Sequence, residues 1–108
     1  MPIKLTVSDT VRVKVAGTIN DATGPQPFDF HLICKRLDVE ALKERLTSDS
    51  ETVPDFLASL VTNWQGVKGD QGEVPYSEAS LRELLNIPGL SGVALTAYVN
   101  DCGARAKN

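Results

Sequence analysis

A chain of 108 residues has room for one domain around one core, and at 42% hydrophobic and 23% charged its composition is that of an ordinary globular protein. A net charge of −3 and a pI near 5.0, with 11 Lys and Arg scattered among 14 Asp and Glu, speak against a dedicated nucleic-acid binder and against an anionic membrane surface as partner. No apolar run approaches the ~20 residues that span a bilayer, and MPIKLTVSDT lacks a basic stretch followed by a long apolar one, so the cytoplasm is the expected compartment.

Thr10 to Ile19 alternates Val11, Val13 and Val15 with Arg12 and Lys14, the two-residue period of a half-buried strand. Lys4 to Val7 reads as an extension of it or a short separate strand. The cluster from Asn20 to Pro25 is made of turn formers, and Phe28 to Arg36 resumes the alternation, with Phe28, Phe30, Leu32 and Cys34 on one face. An antiparallel hairpin is predicted. Asp38 is a good N-cap for a helix carrying Val39, Leu42 and Leu46 on one side. Ser48-Asp49-Ser50 separates it from a second helix over Glu51 to Trp64, whose stripe is Val53, Phe56, Leu57, Leu60, Val61 and Trp64, with Pro54 tolerated in the first turn.

Gln65 to Pro75 holds three glycines and reads as a loop of about ten residues. Ser77 caps the next helix, whose apolar side is Leu81, Leu84 and Leu85 and which stops at Ile87-Pro88-Gly89. A last helix runs from Leu90 to Asp101 with Val93, Ala94, Ala97 and Tyr98 as its stripe. Gly103 ends it, and Ala104 to Asn108 is expected to fray. Strands first and helices after define an α+β single domain over 1–108: a hairpin region (4–36, two or three strands), a helical region (38–103) and a tail.

Catalytic chemistry finds little support. His31 is the sole histidine and lies on the polar face of a strand. Cys34 and Cys102 are far apart, read as reduced structural thiols, and offer no zinc spacing with one His. Ser91 lacks the Gly-x-Ser-x-Gly frame of a nucleophile elbow. The glycines between Gly66 and Gly72 lack the Gly-Lys-Ser/Thr ending of a phosphate loop, and Lys68, Asp70 and Glu73 beside them form no recognisable metal or catalytic set. No enzyme, no cofactor and no metal are expected. The aromatics remain: Trp64 and Tyr76 flank the glycine loop, either as core anchors or as the lining of a partner groove.

The series Asp55-Phe56-Leu57, Asn63-Trp64-Gln65-Gly66-Val67, Val74-Pro75-Tyr76-Ser77, Leu81 through Leu85, Pro88-Gly89 and Ala97-Tyr98 resembles the tail assembly chaperones of long-tailed bacteriophages and prophages. Phe28-Asp29-Phe30-His31-Leu32, Lys35-Arg36-Leu37 and the ending Ala106-Lys107-Asn108 are similar too, so the likeness runs from about Val13 to Asn108. It implies a non-catalytic protein of the bacterial cytoplasm that binds the tape-measure protein, keeps it soluble while tail-tube protein assembles around it, and is absent from the finished virion. Many members of that family are also made in a second, longer form by a translational frameshift near the C-terminus, which a single translated sequence does not display. Trp64, Val67, Tyr76, Leu81 and Tyr98 are the residues placed near the client surface, although the same side chains could build the core. The alternative is a small tube or connector subunit of the tail, whose exposed strand edges would join copies into a homo-oligomer.

Overall fold

The structure, a computed structural model, describes residues 9–102. Strands β1 (Thr10–Asp21) and β2 (Gly24–Lys35) form the predicted hairpin, longer than the alternation alone indicated. They pair in one unbroken register from Thr10 opposite Lys35 to Asp21 opposite Gly24. The turn is closed by Asp21, whose Oδ1 accepts from the Thr23 amide (2.8 Å) and the Thr23 hydroxyl (2.7 Å). These bonds favour the ionised carboxylate and hold its pKa below the usual range. Gly24 then supplies the positive φ that the exit from the turn requires. The expected strand at Lys4 to Val7 lies outside the described residues, as do Gly103 and the tail.

Asp38 caps α1 (Val39–Leu46) by accepting the Ala41 amide at 2.8 Å. Nothing in α1 is fully buried: of its predicted stripe Leu42 packs half-buried against the core, while Val39 is 81% and Leu46 44% exposed. Arg45 also anchors the helix. It forks onto Glu51 through two bonds of 2.8 Å, reaches Ser59 Oγ at 2.7 Å and lies 5.0 Å above the Phe56 ring.

The second predicted helix is corrected at both ends. Thr52 caps α2, which covers only Val53–Leu60 and not Glu51 to Trp64. Val61–Gln65 is a third strand, β3, paired antiparallel with His31 to Cys34 of β2. Between Asn63 opposite Ile33 and Val61 opposite Cys34 one residue, Thr62, is unpaired, and its hydroxyl donates to the Ile33 carbonyl. This bulge resets the alternation, so Val61 and Trp64 both face the core although three positions apart. Leu57, Leu60, Val61 and Trp64 therefore carry the spacing of a helical stripe without being one.

The expected loop after Trp64 is mostly a miniature hairpin, β4 (Lys68–Gly69) with β5 (Gly72–Glu73), extended by Val74 N–H donating to the Val67 carbonyl at 2.9 Å. Gly66, at φ +83°, turns the chain into it against the Phe30 backbone. Ser77 caps α3 (Glu78–Leu85) through the Ser80 amide, and Gly89 precedes α4 (Leu90–Cys102). The buried stripe of α4 is Leu90, Ala94, Tyr98 and Cys102. The predicted Val93 instead faces solvent and Ala97 is half-buried.

The fold is α+β, with a three-stranded antiparallel sheet in the order β1-β2-β3 and α2, α3 and α4 over one face. Val11, Val13, Val15, Phe30, Leu32 and Cys34 from the hairpin meet Phe56, Leu57, Leu60, Leu81, Leu85 and Tyr98 from the helices. Among the described residues no buried side-chain polar atom lacks a partner, and no helix is long and apolar enough to cross a membrane.

The sheet edges are managed explicitly. The Arg36 amide bonds to the Asp9 carbonyl, which fixes the ladder phase: odd-numbered β1 residues bond β2, and even-numbered ones point their amides outward. One of these, Lys14 N–H, is taken by the Asp101 carboxylate of α4 at 3.0 Å. On β2 the matching outward positions beyond β3 include Pro25 and Pro27, opposite Asn20 and Thr18, which have no amide hydrogen to offer.

Candidate functional site: an apolar furrow around Ile87

At its turn end the hairpin outruns the helices, so Ile19 and Phe28 continue the core face of the sheet without full cover. Ile19 is 38% exposed and Phe28 is half-buried, stacked on Phe30 at 6.0 Å. Gly17 makes this possible. A Cβ there would sit 3.0 Å from the Phe28 ring, so glycine lets the ring lie across β1 without being pushed aside.

The α3–α4 joint faces these rings. Ile87 N–H donates to the Leu84 carbonyl (3.2 Å) and Leu90 N–H to the Ile87 carbonyl (3.0 Å), a tight corner that presents Leu84, Ile87 and Leu90 to one side. Gly66 and Val67 form the third wall. The result is a cleft of about 450 Å³ among Ile19, Phe28, Val67, Leu84, Ile87 and Leu90. It joins a smaller cleft of about 270 Å³ past Trp64 and Val74, which shares Val67, Leu84 and Ile87 with it. A third, about 130 Å³, shares Ile19, Phe28, Ile87 and Leu90 and ends at Val93. Together they make one apolar furrow with Ile87 at its centre. Its rim is polar: Thr18, Asp29, Lys68, Ser80 and Glu83.

Of the residues placed near a client surface by sequence, Val67 lies in the furrow and Trp64 lines its smaller arm. Trp64 is otherwise committed to the core. Its indole N–H donates to the Val74 carbonyl at 2.8 Å and its ring meets Tyr76 edge-on at 5.4 Å. Tyr76, half-buried, donates to the Val61 carbonyl at 3.0 Å, bridging α3's entry to the start of β3. Leu81 is fully buried. Tyr98 is also fully buried, edge-on to Phe56, and its hydroxyl donates to the Lys35 carbonyl at 2.8 Å. Leu81 and Tyr98 thus hold the sheet and helices together and do not line the furrow. Ile19, Phe28, Leu84, Ile87 and Leu90 do line it. The one sequence signal for them was Ile87 itself, a large aliphatic residue in a turn where polar residues are usual.

Among the described residues the furrow's ionisable groups are Asp29, Lys68 and Glu83, which stand on the rim, and none of them pairs with a nucleophile there. Lys68 and Glu73 face each other across the small hairpin, exposed. Among the described residues no three His, Cys, Asp or Glu side chains gather as a metal would need. Both cysteines are free and buried, and burial, with Cys102 nearby, pushes the Cys34 thiol up to about 12. Burial likewise raises the Tyr98 hydroxyl. Such groups stay neutral and chemically quiet. What the furrow can do is take up apolar side chains. Comparison with known proteins finds no matching family model, no similar curated protein and no similar solved structure.

Proposed function

We propose that the chain is a tail assembly chaperone, a non-catalytic protein that binds the tape-measure protein and keeps it soluble while tail-tube protein is recruited. The furrow around Ile87 is the observation that carries this reading. An amphipathic helix docks by laying apolar side chains at i, i+3/i+4 and i+7 into such a channel while its polar side meets a polar rim. Each large aliphatic side chain so buried contributes about 1.5–3 kcal/mol against the cost of association, so a few such anchors suit a holding complex that later releases its client. The motifs from Asn63 to Tyr98 that resemble this family support the same reading. The alternative, a tube or connector subunit joined through strand edges, is disfavoured by Pro25 and Pro27 on one edge and by Asp101 on the Lys14 amide at the other.

Co-expression with the tape-measure protein tests the reading. The natural chain is expected to raise the soluble fraction of that protein, and Ile87→Glu, at a half-buried and therefore tolerant position, to lose most of the effect. No change in tape-measure solubility with the natural chain would count decisively against it.

A further inference from the structure

Among the described residues no element covers the face of the sheet turned away from α2, α3 and α4, and its chemistry is unlike that of the rest of the molecule. The register puts Arg12, Lys14 and Ala16 of β1 there, beside Ile33, His31 and Asp29 of β2, with Lys35 at one end and Asn63 and Gln65 of β3 along the far side. Arg12, Lys14 and Lys35 are exposed and form no salt bridge among the described residues, where the two ion pairs, Arg45–Glu51 and Arg82–Asp55, both lie on helices or their connections. Lys14 stands directly opposite His31, and an Arg12 guanidinium nitrogen lies 3.4 Å from His31 Nδ1. Arginine has no acceptor, so Nδ1 accepts and Nε2–H is left as one more donor. Two carboxylates border this face: Asp29, opposite Ala16 towards the turn end, and Asp101 of α4, which takes the Lys14 amide at the β1 edge and leaves the Arg12 and Lys35 side of the cluster clear.

Arg12 and Lys14 are neighbours on one face of β1 and Lys35 lies diagonally across from Arg12, so three like charges are held near one another. In a chain of net charge −3 such a cluster concentrates positive charge where an anionic partner would gain most. We propose that this face is a docking surface for an acidic protein segment, separate from the apolar furrow on the opposite side of the sheet. Arg12 and Lys14 are two residues apart on one strand, so their side chains are about 6.5–7 Å apart along it. Carboxylates at alternate positions of an extended segment, or four apart on a helix, repeat at much the same interval. Asn63, Gln65 and His31 provide hydrogen-bonding groups for the backbone or for carboxylate oxygens. A single-stranded nucleic acid is the poorer fit, because among the described residues no Phe, Tyr or Trp lies on this face as a platform for bases. A membrane would find one half-buried aliphatic side chain there, Ile33.

The test is fluorescence anisotropy with a labelled 12-residue peptide of alternating Glu and Ser, at low and at physiological salt. The probe is expected to bind, and binding to weaken as salt rises. Replacing Arg12, Lys14 and Lys35 together by Gln should weaken it about tenfold or more, a few-fold for each exposed charge. Lys43→Gln with Lys68→Gln, which removes positive charge elsewhere, should change it less than about twofold. All these positions are exposed or at loop ends, and unchanged thermal unfolding checks that the variants fold. Ile87→Glu should leave peptide binding intact, which separates this surface from the furrow. The proposal is overturned if the peptide does not bind, if the two sets of variants weaken it equally, or if a 12-mer of deoxythymidine binds more tightly than the peptide.

Discussion

Trp64 is where packing and the furrow are coupled, and Trp64→Phe separates its two roles. Phenylalanine keeps an aromatic ring facing Tyr76 but removes the N–H that donates to the Val74 carbonyl at 2.8 Å. A lost hydrogen bond in a largely buried setting costs about 1–2 kcal/mol. The volume missing from a side chain that is 7% exposed adds about 1 kcal/mol as residual cavity. The sum, about 2–3 kcal/mol, lowers the unfolding midpoint by on the order of 10–15 °C in a domain of this size. Trp64 is the sole tryptophan, so unfolding in urea or heat is followed by far-UV circular dichroism. Because Val74 and Val67 are bonded to each other, the variant should also loosen the furrow's Val67 wall and accelerate amide exchange in the small hairpin. A variant within about 0.5 kcal/mol of the natural chain would refute the assignment of Trp64 as the pin of this segment.

Three further expectations concern the sheet and its chemistry. Cys34, with its thiol pushed up to about 12, should resist iodoacetamide at pH 8 in the folded protein and react once urea exposes it; alkylation at equal rates in both states would contradict its burial. A folded pKa raised from 9.0 to about 12 contributes stability in full below pH 9 and progressively less above it, so the urea midpoint should fall between pH 9 and pH 12, with Cys34→Ala removing part of that slope. Pro25→Thr with Pro27→Thr restores two outward amide donors on the β2 edge. Sedimentation should then show greater concentration-dependent association than for the natural chain, and identical profiles would refute the role of these prolines.

Where local chemistry decides structure, the sequence was readable. The valines of β1 against its basic residues, the Asp38 and Ser77 caps and the terminating Gly89 all act within a few residues of themselves. β3 was hidden because the bulge at Thr62 shifts the strand's phase and leaves the spacing from Leu57 to Trp64 indistinguishable from a helical stripe. Only pairing with β2, thirty residues upstream, decides between the two. The stripe of α1 misled for a related reason. Amphipathic spacing shows that a helix can bury one side, but Val39 and Leu46 stay exposed, and the helix is held by Leu42 together with the Arg45 fork.

The furrow was the least legible feature. Its residues come from β1, β2, the β3–β4 turn and the α3–α4 corner, and although Phe28, Val67 and Leu84 each stand in a recognisable stretch, nothing local shows that these side chains meet. Trp64, Tyr76 and Tyr98 attracted attention as natural interface anchors, yet each has its polar atom satisfied by a backbone carbonyl inside the fold. A sequence displays the size and type of an aromatic side chain but not which internal carbonyl it will find.

The most direct test of a helix-receiving furrow is nuclear magnetic resonance of the labelled chain titrated with an amphipathic helical segment of the tape-measure protein. The account predicts shifts concentrated at Ile19, Phe28, Gly66, Val67 and Leu84 to Leu90, and their loss in Ile87→Glu. Shifts centred on α1 or on the Arg12–Lys14 face, with the Ile87 region unmoved, would contradict it.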